Sequence, residues 1–233
     1  PLLLAEIRKA AIEAKDKPGQ HAEFKIKRLN RPTSVAQGWV NLTKWRECKG
    51  EIDLDFLRSH PCYGGLDLSS TIDLASFRLV WNVEGTIYTK GWRFVPSAAV
   101  RQRTTRGLIP YAGWVLRGDL IESGNESIDY GPIEQKVIEA REQFQLVKVG
   151  YDSWNASQTA QRLNEAGVVM EQFIQGPKSY NPAMNALEIA YLNGKLVHGN
   201  DPVLNWNASN LIARLDQNMN KAPDKKKAAE KID

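Results

Sequence analysis

Residues 62–76 read CYGGLDLSSTIDLAS, and residues 76–96 continue SFRLVWNVEGTIYTKGWRFVP. The first stretch predicts a short strand from Tyr63 that ends in a polar turn. In the second, two runs rich in β-branched and aromatic residues flank Glu84-Gly85, the pattern of a hairpin. A strand that delivers Asp67 to a turn is therefore followed at once by a β-meander.

Further along, the pattern changes from strands alone to strands alternating with helices. Residues 132–144, PIEQKVIEAREQF, open with proline and carry apolar residues at helical spacing. LVKVGYD reads as a buried strand ending at Asp152. SQTAQRLNEAG is a helix stopped by Gly167, VVMEQFIQ a strand, and Asn181–Asn193 a helix stopped by Gly194. Asp201–Asn210 reads as another helix with Pro202 in its first turn, and LIARLDQN as a last strand. Residues 97–107 are expected to be helical or irregular, and 108–130 loop-rich, with a short hairpin through WVLRGD and ESIDY. A meander followed by alternating strands and helices predicts an α/β domain with a mixed sheet.

Upstream, residues 1–20 read as a helix fading into the polar turn KDKPGQ. Residues 21–62 read as a linker that packs on the downstream domain, with a short helix near Asp53–Ser59 capped by Asp53. We therefore expect residues 1–60 to be a connecting segment and residues 61–233 to be one domain.

The chain has 233 residues, 42% hydrophobic and 25% charged, enough for a substantial core. No apolar run approaches the eighteen or so residues of a membrane span, and the start PLLLAEIRKAA is too short and too soon charged for a signal peptide. The first residue is proline, consistent with a fragment of something longer. Two cysteines, Cys48 and Cys62, and no export signal fit a reducing cytoplasm. Neither CxxC nor HExxH spacing occurs, so a zinc site is not expected. No GxxxxGK[ST] occurs either, so no ATPase activity is expected from this chain. The net charge of +4 permits an anionic partner. Arg101, Arg103 and Arg106 cluster on an expected projecting loop, and five lysines crowd the last residues.

Three acids stand where strands end or turns begin: Asp67, Asp152 and Asp233. Two divalent ions about 4 Å apart can clamp the attacking and leaving oxygens of a phosphodiester. Such ions need hard oxygen ligands, which carboxylates from different strands of one rigid sheet supply. Taken singly, an aspartate after an apolar run is more often a turn or cap residue. Asp67 stands out because Gly64-Gly65 precedes it, and Asp152 because a hydrophobic strand leads straight into it.

These stretches resemble the nuclease domain of tailed-phage terminase large subunits. CYGGLDLSSTIDLAS is similar to that family's first strand, whose metal-binding aspartate falls at Asp67. VGYDSWNASQTAQRLNEAG is similar to its second acidic strand and following helix, placing an acid at Asp152. GPKSYNPAMNALEIAYLNGKLVHGNDPVLNWNASN resembles a further block, with Asp201 as an extra acid. KKKAAEKID resembles the approach to the third metal-binding aspartate, at Asp233, and stops before the helix that should come next. The resemblance covers roughly residues 35–233. It implies a ribonuclease H-like mixed sheet flanked by helices on both faces. It also implies an endodeoxyribonuclease that cuts double-stranded DNA concatemers during packaging with two magnesium or manganese ions. The implied partners are DNA, an ATPase motor in the same full-length chain, the terminase small subunit and the portal protein, in the host cytoplasm and without a membrane. Junction resolvases and transposases share the fold class and remain an alternative, as does a non-catalytic DNA-binding module.

Three further residues could join the site, although each has a simpler structural reading. Asp73 could be an outer acid or a turn cap, Asp201 a ligand or a helix cap, and His198 a group that positions a water or touches phosphate, or a structural histidine. Lys178, after Gly176-Pro177, and the 101–106 arginines are candidate contacts to DNA phosphates.

Overall fold

The computed structural model describes residues 11–12, 38–69, 73–106, 109–152 and 156–224. Strand β1, Pro61–Asp67, pairs antiparallel with β2, Ala75–Val83, and β2 pairs antiparallel with β3, Thr86–Val95. The expected hairpin turns at Glu84 and Gly85, both with positive φ. On its other side β1 pairs parallel with β5, Gln145–Tyr151, which pairs parallel with β6, Met170–Gln172. The short strands β4, Ile121–Glu122, and β7, Leu196–Val197, both pair with β3, giving the order β4-β3-β2-β1-β5-β6 with β7 also on β3. The mixed sheet was legible from the sequence.

Alternation along the strands sorts the two faces. Leu66, Phe77, Leu79, Trp81 and Val149 face a core closed by Ile133, Val137 and Ala140 of the helix Gly131–Gln143, and by Leu163 of the helix Ser157–Glu165. Gly64 faces this core too. A Cβ there would lie 2.7 Å from Val149 Cγ2 and 3.2 Å from Phe77 Cε2. Gly64→Ala is thus expected to cost about 1–3 kcal/mol by overpacking, and Gly65→Ala, which meets nothing within 4 Å, far less. Urea denaturation of the two variants checks this; equal losses would contradict the packing assignment.

Helices also cover part of the opposite face and the β3 edge. In chain order the helices are α1 (Leu42–Glu47), α2 (Leu54–Leu57), α3 (Ser97–Arg106), α4 (Tyr111–Arg117), α5 (Gly131–Gln143), α6 (Ser157–Glu165), α7 (Pro177–Leu192) and α8 (Pro202–Asn210). Asp53 caps α2 as expected, accepting from the amides of Asp55 and Phe56. Trp45 of α1 donates its indole N–H to Asn205 Oδ1 at 2.8 Å and packs with Tyr191, so residues 38–48 lie against α7 and α8.

Four local expectations are corrected. Residues 111–117 form α4 rather than one arm of a hairpin, because Tyr111 and Trp114 bury one face and Gly118, at φ +77°, ends the turn. The arginines at 101–106 ride on α3, not on a projecting loop; Ala99 and Val100 pack against Val95 and Trp114 and hold that segment helical. Helix α7 begins at Pro177, a turn earlier than expected, and runs through Pro182. The strand read at 211–218 is β8, Ala213–Leu215, but it pairs with β9, Lys221–Pro223, in a separate two-stranded sheet.

Candidate metal centre

Strands β1 and β5 run parallel in a register that aligns Gly65 with Gly150 and Leu66 with Tyr151. One residue on, β1 ends in Asp67, and Asp152 directly follows β5. Both line an open cleft of about 330 Å³ with Gly65, Gly150, Ser76, Phe173, Gln175 and Tyr180. Ligands in open α/β sheets bind outside the carboxyl ends of parallel strands, where this cleft lies. Two register-matched glycines lie one pleat below the acids, so the floor there is bare backbone. The turn after Asp67 is fixed from below: Tyr130 donates its hydroxyl to the Ser69 carbonyl at 3.0 Å, and burial pushes that phenol's pKa up. Beside the floor, Lys148 and Glu171 form an ion pair, and the hydrogen bond to Glu171 raises the lysine's pKa.

The structure thus brings two of the three expected ligands together. Asp233 lies outside the described residues, as do the lysines beyond Asp224. Among the described residues, no three His, Cys, Asp or Glu side chains form a metal-binding group. Asp73 is half-buried, six residues beyond Asp67. Asp201 and His198 line a different cleft. Asp201 caps α8 through Oδ1, which accepts from Val203 and Leu204 N–H, while Oδ2 accepts from Arg93 at 2.5 Å. His198 is buried; its Nε2 lies 2.9 Å from the Trp45 carbonyl and its ring stacks on Trp45.

Lys178 is exposed in the first turn of α7, two residues before Tyr180 at the rim of the acid cleft. Arg101 bonds Asn125 and lies 3.5 Å from Glu126, and the Arg103 guanidinium lies 6.0 Å from the Tyr111 ring centroid. Arg106 ends α3. Sequence reasoning missed Gly150 and the aromatic wall of Phe173 and Tyr180, whose rings meet edge-on at 5.2 Å. Gly150, two residues before an acid at a strand end, repeats the spacing of Gly65 to Asp67 and was the available signal. The aromatic wall depends on where β6 and α7 dock, which no local pattern announces.

Both cysteines are buried thiols. Burial pushes Cys62 up to about 11, so it stays protonated and unreactive near neutrality. Because the folded pKa lies above the unfolded value of about 8.5, its contribution to stability is complete below pH 8.5 and is lost as pH rises through 11. At pH 8, iodoacetamide should label Cys62 slowly in the folded chain and rapidly in urea. Equal rates would contradict its burial.

A mixed sheet of this strand order, flanked by helices and carrying acids at the ends of adjacent strands, defines the ribonuclease H-like class. Residues 2–233 match the family model of the terminase large subunit, endonuclease domain, and the chain belongs to that family. It is 29% identical over 237 residues to the terminase large subunit of Enterobacteria phage HK97, covering 98% of this chain and 45% of that protein. It is 24% identical over 222 residues to protein YmfN of Escherichia coli K12, covering 90% and 49%. The crystal structure of the HK97 large terminase superposes with a TM-score of 0.77 at 26% identity, over 99% of this chain and 48% of that one. The chain spans about half the length of these relatives. No helix among its described residues is long and apolar enough to cross a membrane.

Proposed function

We propose that this chain is a metal-dependent endonuclease that cuts double-stranded phage DNA concatemers during genome packaging. The observation that carries this reading is the delivery of Asp67 and Asp152 by adjacent parallel strands into one cleft above a bare glycine floor. Hard carboxylate oxygens on a rigid sheet suit magnesium or manganese, and phosphate and water can complete the shell. Asp67 and Asp152 would hold two such ions, with Asp233 as the third ligand. When bound, the ions lower the pKa of an attacking water and stabilise the leaving 3′ oxygen. Gly65 and Gly150 let a sugar-phosphate backbone come close, and Lys178, exposed in the first turn of α7, would meet a phosphate. Arg101, Arg103 and Arg106 offer further phosphate contacts along α3. Cutting with little base preference is expected if phosphates carry most of the binding.

In the longer protein, residues 1–60 would connect residues 61–233, the nuclease domain, to an ATPase motor. The terminase small subunit and the portal protein would be partners in the host cytoplasm. Plasmid nicking tests the reading: cleavage with manganese and none with EDTA is expected. No cleavage under any divalent ion would favour a DNA-binding module, and preference for four-way junctions would favour a resolvase. Asp73→Ala is expected to keep most of the activity. A complete loss there, with the fold intact, would move Asp73 into the site.

A further inference from the structure

Strand β3 carries β7 against Ile87 and Tyr88 at one end and β4 against Phe94 and Val95 at the other. Between these two short strands the β3 edge opens into a slot of about 280 Å³, bounded by residues 89–93, Gly118, Asp119 and residues 198–202. It shares a sheet face with the acids: in register, Arg93 pairs with Ser76, and Ser76 with Asp67. Arg93 lines the slot and is only 2% exposed, and its Nη2 has no hydrogen-bond partner. The Arg78 guanidinium lies across Gly91 towards the same place. A Cβ on Gly91 would sit 2.5 Å from Arg78 Nη2, which is also buried without a hydrogen-bond partner. The Nη1 group of Arg78 donates to Thr89 Oγ1 at 3.0 Å. Asp201 is the counter-ion to both arginines, 2.5 Å from Arg93 and 3.7 Å from Arg78, and Asp119 at the slot's border is paired with Arg117. Two guanidinium groups against one shared carboxylate leave positive charge and unbonded Nη2 groups in the wall of a polar slot, which Arg93 lines directly and Arg78 backs from behind Gly91 and Asp201. Arginine forks of this kind match the oxygens of a phosphate.

We infer that the slot is a phosphate-binding site distinct from the acid cleft. Assigning that phosphate to the backbone of bound DNA rests on the nuclease reading; binding of the group itself does not. The test uses inorganic phosphate as the probe, with the 233-residue chain in EDTA at constant ionic strength. The arginine Nε–H NMR signals are followed through the titration. A saturable shift is expected, weakened about tenfold or more by Arg78→Gln, the worth of one charge-assisted hydrogen bond. Gly91→Ala keeps every charge but turns the Arg78 guanidinium aside. It meets only the tip of a flexible side chain, so it tests the site even if Arg78→Gln folds poorly, and it should weaken binding too. Asp67→Asn should leave phosphate binding unchanged, which separates this site from the metal centre. Displacement of the phosphate by duplex DNA would identify the source as a backbone phosphate. Retention in the presence of DNA would identify a free phosphate or a nucleotide phosphate. Absence of a saturable shift, or wild-type binding in both Arg78→Gln and Gly91→Ala, overturns the inference.

Discussion

Asp67→Asn is expected to slow DNA cleavage by about a thousandfold or more, because the charge that holds the metal is lost while the side chain's size is kept. Stability should change far less than activity, by about 1 kcal/mol or less. Asp67 is half-buried at the end of β1, and the core beneath it is carried by Leu66, Phe77 and Val149, which the substitution does not touch. Asp152→Ala should behave alike, since Asp152 closes the adjacent strand and faces the same cleft. Plasmid nicking with manganese, paired with thermal unfolding, reads both effects. A variant that cuts at the normal rate would remove Asp67 from the reaction. A variant that fails only because it unfolds would leave the acid a structural part of the strand end.

Asp201→Ala should show the opposite signature. Its carboxylate pairs with the buried Arg93 and with Arg78, and it also caps α8. Removing it leaves a guanidinium that is 2% exposed without its counter-ion, a change that costs about 3–5 kcal/mol for buried pairs. The lost cap adds about 1 kcal/mol. The variant should therefore melt far earlier in phosphate-free buffer, yet cut DNA at a near-normal rate well below its melting temperature. Normal stability with abolished cleavage would place Asp201 in the metal centre instead.

These three aspartates show what the sequence could and could not reveal. Asp67 and Asp152 were legible because a hydrophobic strand leads into each, and because the surrounding strings are similar to a known family. The meander and the alternation after it set the mixed sheet, since period-two runs and helical spacing are local signals. The fate of Asp201 was half legible: Asp-Pro announced a helix cap, but nothing near it announced Arg78 and Arg93, which come from distant strands. The α4 segment is hidden from local pattern for the same reason. Tyr111 and Trp114 are helical because of what they pack against, including Trp206. The gap in the β3 edge was beyond reach, since it exists only through the docking of two short strands far apart in the chain.

The central claim is that Asp67 and Asp152 together hold divalent metal. A crystal soaked in manganese, with diffraction recorded at the manganese absorption edge, tests it most directly. Anomalous peaks are expected in the cleft within ordinary oxygen-ligand distance, about 2.0–2.6 Å, of both carboxylates, and should disappear in Asp67→Asn. Well-ordered carboxylates with no anomalous density between them, or manganese bound elsewhere on the chain, would contradict it.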